Sequence, residues 1–377
     1  MHESNILKIK TETEKIVYEI LESSKKIDFA LKDENIKTME NELLKLKNEE
    51  FIISMVGTMK AGKSTTINAI VGQEILPSRV EAMTTLPTLI THIKGKVEPV
   101  LKLNNSYINT LNDLLRKVRN NSKSKSYSKS EQSITNNKNF QFKEQILGNE
   151  KIKEALTIFN DLRRVSKDQI FDKFIELKNI PRIEIEFKTL KDIVTKDNSK
   201  LSLLDTPGPN EYKQSAKLKE TLKIQLENSS AVIFVVDYKS YESGDTNDIK
   251  QRISDIHEYL KSENFYILAN KFDANKNSDE EYENTKKRIY THFELKDKIE
   301  LKNIFPVSSE WFFLVNLAKE ELISKGKNKF PRIISIPTIR DKIVLKIIFN
   351  TLYEIFEDEL INELIHSKIN KIIVEEE

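Results

Sequence analysis

Apolar residues recur at helical spacing over the first part of the chain, with lysine and glutamate between them. Between residues 4 and 27 this spacing is seen at Ile6, Ile9, Thr13, Ile16, Val17, Ile20 and Ile27. After Asp33 the same spacing continues through Ile36, Met39, Leu43 and Leu46. Because this spacing places side chains on one face of a helix, the pattern predicts two amphipathic helices at the start of the chain.

The period changes at residue 51, where a short, nearly continuous apolar run extends to Val56 and ends at Gly57. Such a run is typical of a strand in a buried parallel sheet. A helix is predicted from about Lys63, and Gly72 is placed to end it in the left-handed conformation. Further buried strands are predicted over residues 86–93, 182–187, 201–204, 231–237, 265–269 and 304–307. Helical patterns between several of these strands favour an α/β fold with a doubly wound, mostly parallel sheet.

Residues 104–180 read as a helical insertion into this sheet. The insertion is interrupted at residues 120–139, a stretch rich in lysine and serine with almost no apolar content. That composition predicts a solvated or disordered loop, and contact of its lysines with phosphate or lipid headgroups is the alternative. Past Pro337 the chain becomes helical again, with a stripe of Val344, Ile348, Leu352, Ile355, Leu360 and Leu364.

Composition excludes several classes of function. Charged residues make up 32% of the chain, but 61 Lys and Arg against 59 Asp and Glu leave a net charge of +2, so no direct nucleic-acid binding is predicted. The absence of cysteine excludes disulfides and thiolate metal sites. The five histidines show no metal-ligand spacing. No secretion signal is visible, and no apolar run reaches the roughly 18 residues that span a bilayer, so we expect a soluble, cytoplasmic protein.

The chain has only eight glycines, and two of them fall in one motif. Residues 57–64, GTMKAGKS, match the phosphate-binding pattern G-x-x-x-x-G-K-[ST], directly after a predicted strand and at the start of a predicted helix. In this context backbone N–H groups cradle phosphates, Lys63 reaches the β and γ phosphates, and the Ser64 hydroxyl ligates Mg²⁺. The predicted phosphate-binding residues are Gly57, Lys60, Ala61, Gly62, Lys63, Ser64 and Thr65.

A second motif selects the base. Asn270, Lys271 and Asp273 follow the predicted strand 265–269. A carboxylate accepts two hydrogen bonds at once from the N1–H and exocyclic amine of guanine, a donor pair that adenine lacks, so Asp273 is the predicted base reader. Asn270 would tie this loop to the phosphate loop, and the stem of Lys271 would lie along the base. Ser308 and Ser309, after the last predicted strand, are competing candidates for the remaining base contact.

Two further segments are candidate switches. Asp205 ends a predicted strand in the sequence DTPG, where it would hold Mg²⁺ while the Gly208 N–H senses the γ-phosphate. Thr84 would close over Mg²⁺, with Thr85 as its adjacent competitor. The predicted metal ligands are therefore Ser64, Thr84 and Asp205.

The order and spacing of these motifs resemble the dynamin superfamily, in particular bacterial dynamin-like GTPases of the clamp-binding type. The runs that carry the resemblance are GTMKAGKSTTINAIVGQEILPSRVEAMTTLPTLI (57–90), LLDTPGPNE (203–211), ANKFDA (269–274) and FPVSSEWFFLVNLA (305–318). The resemblance implies N-terminal neck helices over 1–48, a GTPase domain over 49–325 and a C-terminal neck helix over 326–377. The resemblance includes no stalk, so a separate helical partner would supply one. Contact with the membrane surface is possible for such an assembly but is not supported by this chain. No convincing clamp-binding glutamine motif is found, so a replication role is not transferred.

The resemblance also implies Mg²⁺-dependent hydrolysis of GTP to GDP by a nucleotide-dependent homodimer whose hydrolysis is coupled to motion of the neck. Pro209 stands where Ras-like enzymes carry the glutamine that orients the attacking water. Lys60, Lys63, Thr84 and Gly208 are the predicted catalytic residues, with Lys60 supplying positive charge to the transition state. A solvated Lys60 is the alternative to that role. For the whole chain, a GTP-loaded scaffold with negligible hydrolysis is the main alternative, and a P-loop ATPase is a weaker one.

Overall fold

A computed structural model of the chain describes most of the residues that surround the predicted phosphate and base loops. It describes residues 2–26, 50–58, 60–77, 86–121, 128–166, 168–190, 200–207, 216–238, 246–260, 264–272, 282–296, 298–314, 316–317 and isolated positions between 35 and 47. The second predicted N-terminal helix is described at residues 35, 36, 39, 40, 43, 46 and 47, all of which are helical. The predicted C-terminal helix lies wholly outside the described residues. The pairing of these segments into a neck therefore stays a prediction.

Eight α-helices and nine strands lie in continuous described ranges, and further helical residues follow β9 at 309–314 and 316–317. The helices are α1 (His2–Lys26), α2 (Lys63–Val71), α3 (Ile108–Asn121), α4 (Lys129–Asn136), α5 (Asn149–Ser166), α6 (Ala216–Glu227), α7 (Thr246–Tyr259) and α8 (Tyr282–His292). The strands are β1 (Glu50–Gly57), β2 (Thr88–His92), β3 (Val100–Lys102), β4 (Gln145–Leu147), β5 (Arg182–Ile185), β6 (Lys200–Asp205), β7 (Ala231–Asp237), β8 (Phe265–Asn270) and β9 (Ile304–Val307). Short 3-10 turns occupy Asn105–Tyr107, Gln169–Ile175, Lys188–Leu190 and Leu301–Asn303.

All nine strands form one sheet in the order β4-β3-β5-β2-β6-β1-β7-β8-β9. The run from β6 through β1, β7 and β8 to β9 is parallel. The β2–β6, β3–β5 and β3–β4 pairs are antiparallel, whereas β2 and β5 are parallel. The predicted α/β fold with a mostly parallel sheet is therefore confirmed. Since β1 lies between β6 and β7, the carboxyl ends of these strands meet at the loop that follows Gly57.

Helices pack on both faces of the sheet because consecutive residues of a buried strand point in opposite directions. Met55 on β1 belongs to a core formed with α2 and the insertion helices α3, α4 and α5. Its neighbour Val56 belongs to a second core formed with α6, α7 and α8. Both residues are almost fully buried. This two-sided burial accounts for the continuous apolar run from which a parallel strand was predicted.

Part of the predicted loop at residues 120–139 is helical, so that prediction is wrong for residues 129–136. Ser128 caps the start of α4: its hydroxyl accepts a hydrogen bond from the Glu131 N–H, and the Glu131 carboxylate accepts one from the Ser128 N–H. At the other end, the Arg119 guanidinium donates to the carbonyl oxygens of Asn137 (2.5 Å) and Phe140 (3.0 Å). Only Ile134 of α4 is buried, so these end contacts stabilise a helix with almost no apolar signal.

The edge strands β3 and β4 were not predicted. Each has three residues, and β4 exposes two of them, so neither shows the apolar run of a central strand. The other predicted strands are found within one or two residues of their expected ends. Helix α2 ends at Gly72 as predicted, with φ +79° and its N–H bonded to the carbonyl of Asn68. Among the helices in the described ranges, none has the length and apolar character needed to cross a membrane.

Candidate functional site

The phosphate-loop residues connect β1 to α2 and leave the start of that helix open to an anion. Gly62 is the N-cap with φ +89°, it has no side chain to cap the helix, and the first turn of α2 contains no acidic residue. The loop is tightened by a hydrogen bond from the Thr66 N–H to the Gly62 carbonyl, 2.8 Å. Because the first N–H groups of a helix lack partners within it and carry partial positive charge, this end suits a phosphate.

The other side of the loop packs directly on β7. The Thr58 N–H donates to the Val235 carbonyl at 3.1 Å. A Cβ added at Gly57 would lie 3.0 Å from that same oxygen, so a larger residue would crowd the contact between this loop and β7. Ala61 is fully buried. Lys60, at the tip of the loop, has an exposed side chain and a left-handed backbone with φ +60°.

Lys63 and Asp205 form an ion pair beside the loop, and both side chains are largely buried. The pair forms because β1 and β6 are parallel neighbours whose register places Met55 opposite Asp205. Thr206 follows Asp205 and is fully buried. Its hydroxyl donates to the Met55 carbonyl at 2.9 Å, which ties the end of β6 to β1. Ser64 and Thr65 occupy the first turn of α2 and are half-buried.

Asn270 joins the base loop to the phosphate loop. Its side-chain nitrogen donates to the Ala61 carbonyl at 2.8 Å, and its side-chain oxygen accepts the Ser309 N–H at 2.9 Å. Asn270 is 3% exposed, so both bonds are shielded from water. One amide side chain therefore connects three loops that follow β1, β8 and β9.

The two competing serines have different surroundings. Ser309 is buried, and its hydroxyl lies 2.8 Å from the hydroxyl of Thr66 on α2. Ser308 is half-buried. Ser309 therefore braces the loop after β9 against the phosphate-loop helix, and the assignment of a base contact to either serine stays a prediction.

Lys271 follows β8 with φ +64°, and its ammonium donates to Asp237 Oδ2 at 2.7 Å. The next residue, Phe272, packs edge-on against Tyr238, with ring centroids 5.3 Å apart. The base loop is thus held by the end of β7 at two successive residues. Asp273, the predicted base reader, lies outside the described residues.

Thr84 and Gly208, together with Thr85 and Pro209, also lie outside the described residues, so their roles stay predictions. The described chain resumes at Leu86, whose N–H donates to Asn160 Oδ1 on α5 at 3.3 Å. The insertion therefore contacts the first described residue after the predicted switch threonine.

Sequence reasoning missed Thr66, Thr206, Asn160 and Asp237. The first three act through contacts between segments far apart in the chain, for which the sequence offers no local signal. Asp237 did carry a signal, because it is a charged residue at the carboxyl end of a buried strand. Ligand-binding groups in parallel sheets concentrate at that end.

The fold and the connected loops together define the class: a phosphate loop on the central strand of a parallel sheet, tied by an asparagine to a base loop, is the plan of a P-loop GTPase domain. The Dynamin_N model, described as the dynamin family, matches residues 53–271, which is more than half of the chain. The chain belongs to the dynamin family of GTPases, as its motifs predicted.

Two similar proteins are both the clamp-binding protein CrfC of Escherichia coli. One is 35% identical over 308 residues, which cover 78% of this chain and 40% of that protein. The other, from strain K12, is 36% identical over 304 residues and is likewise covered over 40% of its length. The chain thus spans well under half the length of these relatives. A solved structure of an oligomerised bacterial dynamin pair, described as sensing and tethering membranes, aligns with 98% of this chain and 56% of its own length at 18% identity and TM-score 0.40.

Proposed function

We propose that the chain binds GTP with Mg²⁺ and hydrolyses it to GDP and phosphate, and that pairing of two GTPase domains activates the reaction. The observation that carries the proposal is the Asn270 bridge, since it sets the base loop and the phosphate loop at one fixed separation. Such a fixed separation suits a ligand with a base at one end and phosphates at the other.

The phosphate end is assigned to the loop between β1 and α2. Backbone N–H groups of residues 60–65 would surround the β-phosphate, and Lys63 would exchange its contact with Asp205 for one with phosphate oxygens. Gly208 would donate its N–H to the γ-phosphate.

The oxygen donors near the ion pair fit Mg²⁺. Ser64 offers a hydroxyl on the first turn of α2, and Asp205 offers a carboxylate at the end of β6, both hard ligands of the type that Mg²⁺ takes alongside water and phosphate. Thr84 would add a second hydroxyl when the switch closes. Bound Mg²⁺ would neutralise charge on the phosphate oxygens.

The base end is assigned to the loops after β8 and β9. Asp273 would accept two hydrogen bonds from guanine, the Lys271 stem would cover one face of the base, and Ser308 would contact its edge. Ser309 and Asn270 would hold these loops in place through the contacts already described. An Asp273→Asn variant should lose its preference for GTP over xanthosine triphosphate.

Dimerisation is proposed because this domain lacks a residue that could orient the attacking water from the usual position. Pro209 occupies that position and has no donor or acceptor in its side chain. A second GTPase domain facing the nucleotide would complete the site, with Lys60 supplying positive charge from the exposed tip of the loop.

The test is the dependence of GTP turnover on protein concentration. We expect turnover per molecule to rise with concentration, and light scattering to show a dimer when a GTP transition-state mimic is bound. Lys60→Ala should lower turnover without weakening GTP affinity, whereas Lys63→Ala should abolish binding. Flat, near-zero turnover with tight GTP binding would instead support the alternative that Pro209 favours, a GTP-loaded scaffold.

The neck and its partners belong to the same proposal. Ile16 and Ile20 on α1 are 56% and 43% exposed, although they lie one helical turn apart on one face. We assign this face to the predicted C-terminal neck helix. A separate helical protein would extend the neck, and cytoplasmic location with contact peripheral to a membrane is compatible with such an assembly.

A further inference from the structure

Asp237 stands out among the described residues near the base loop because the expected functions of the motifs leave it without a role. It is the last residue of β7, and the register of the parallel pair places it opposite Asn270, the last residue of β8. The side chain of the next residue, Lys271, reaches back to it, with 2.7 Å between Nζ and Oδ2. The topology therefore brings a carboxylate to the lysine that is proposed to cover the base.

The ion pair is not a device for overall stability. The Lys271 and Asp237 side chains are 43% and 29% exposed. Exposed pairs of this kind contribute little to the free energy of folding, because water and salt screen them. The pair does, however, limit the rotamers of a long and otherwise flexible lysine side chain.

The backbone at Lys271 shows that this segment is held under constraint. Within the described ranges, non-glycine residues with positive φ are Lys60, Lys271 and Glu294, and the first two lie in the proposed phosphate and base loops. A left-handed backbone is unfavourable for a residue with a side chain, so it persists only where neighbouring contacts enforce it.

Those neighbouring contacts come from the end of β7. Tyr238, which is 4% exposed, packs edge-on against Phe272 at 5.3 Å and an interplanar angle of 86°. Phe272 in turn packs against Tyr282 on α8. Residues 237 and 238 thus hold residues 271 and 272, one pair through charge and the other through aromatic contact.

We infer that Asp237 is a positioning residue for base recognition: it holds the Lys271 ammonium so that the methylene stem presents one fixed apolar face to guanine. This inference rests on the proposed GTP-binding function and adds to it a residue outside the base motif. A stem that is already fixed before binding loses less rotamer entropy when the base arrives, and this favours binding.

The test compares equilibrium Kd values of the full chain for a fluorescent GDP. We expect Asp237→Asn to weaken binding about two- to tenfold. The loss should be the same for GDP and GTP because the γ-phosphate is not involved, and kcat at saturating GTP should not change. Asp237→Glu should recover part of the affinity, since it restores the charge.

A double-mutant cycle separates positioning from general destabilisation. Lys271→Met keeps an apolar stem without the charge, so adding Asp237→Asn to it should cause no further loss. Glu294→Gln is the matched control: Glu294 also has positive φ and pairs with a lysine, Lys250 at 2.5 Å, but follows α8 outside the base loop. Its Kd should equal that of the unmodified chain.

Three results would contradict either the role of Asp237 or the proposed GTP-binding function. An unchanged Kd in Asp237→Asn, or losses that simply add in the double variant, would overturn the role of Asp237 while GTP binding stands. A fall in the unfolding midpoint of Asp237→Asn without any change in Kd would reduce the pair to a structural contact. If the unmodified chain shows no preference for guanine over adenine nucleotides, the proposed function itself fails.

Discussion

Gly62 is a residue at which one substitution would disturb both the phosphate loop and the base loop. Its φ is +89°, and an added Cβ would lie 2.4 Å from the side-chain nitrogen of Asn270. Gly62→Ala would therefore displace the amide that bonds the Ala61 carbonyl. We expect the affinity for labelled GDP to fall by at least about tenfold, measured by fluorescence titration.

Gly95 provides the control for this substitution. It also has positive φ, +77°, but no atom lies within 4 Å of an added Cβ. Gly95→Ala should cost about 1 to 2 kcal/mol of unfolding free energy from backbone strain alone and leave nucleotide affinity unchanged. Equal nucleotide affinities for Gly62→Ala and the unmodified chain would contradict the Asn270 bridge.

The link between Asn270 and the phosphate loop could be predicted because its motif implies a fixed chemical task. The contact of Ser309 with Thr66 could not, since both residues are small polar side chains with no distinguishing pattern. Only the folded register decides that Ser309 faces α2. At the residue scale, motifs therefore indicate ligand-facing groups better than the groups that support them.

At the scale of elements, His92 on β2 makes the stability of the sheet depend on pH. His92 is 4% exposed, and its Nδ1 accepts the Phe187 N–H at 2.8 Å. Burial lowers the pKa of His92 below 6.5, and the nearby Glu186 carboxylate offsets this only in part. The unfolded chain therefore binds the proton more readily than the folded one between the lowered pKa and about 6.5.

The free energy of unfolding should thus be fully retained above about pH 6.5 and fall as pH drops toward the folded pKa of His92. His92→Asn keeps an acceptor near the Nδ1 position without a titrating group. Urea unfolding of this variant at a series of pH values should show a weaker pH dependence in that window. His257, which is exposed on α7, gives the control: His257→Asn should retain the slope.

The elements that could be predicted were those with a strong period or a continuous apolar run. Strand β7 was predicted with its observed bounds because a strand buried on both faces consists of consecutive apolar residues. Helix α4 could not be, because its stability comes from a capping box and from Arg119, a residue of another helix. Contacts across the fold override local composition in such short elements.

At the scale of the whole molecule, the open question is what covers the exposed face of α1. Ile16 and Ile20 present apolar surface there, while Leu21, on another side of the helix, is buried. Burial of apolar surface stabilises by about 25 cal/mol per Å². A second helix with its own apolar stripe is therefore the expected neighbour, and the stripe that contains Val344, Ile348 and Leu352 fits that description.

The absence of native cysteine makes this pairing directly testable, because two introduced thiols have no competitor. Ile16→Cys combined in turn with Val344→Cys, Ile348→Cys and Leu352→Cys should give a disulfide in at least one pair, since bridged Cα atoms lie within about 7 Å. Thr11→Cys, about 140° around the helix from residue 16, is the control and should not cross-link.

If hydrolysis moves the neck, the cross-linking rate should change when a GTP transition-state mimic is bound. Equal yields from positions 11 and 16 would contradict the pairing, and a rate indifferent to nucleotide would contradict the coupling alone.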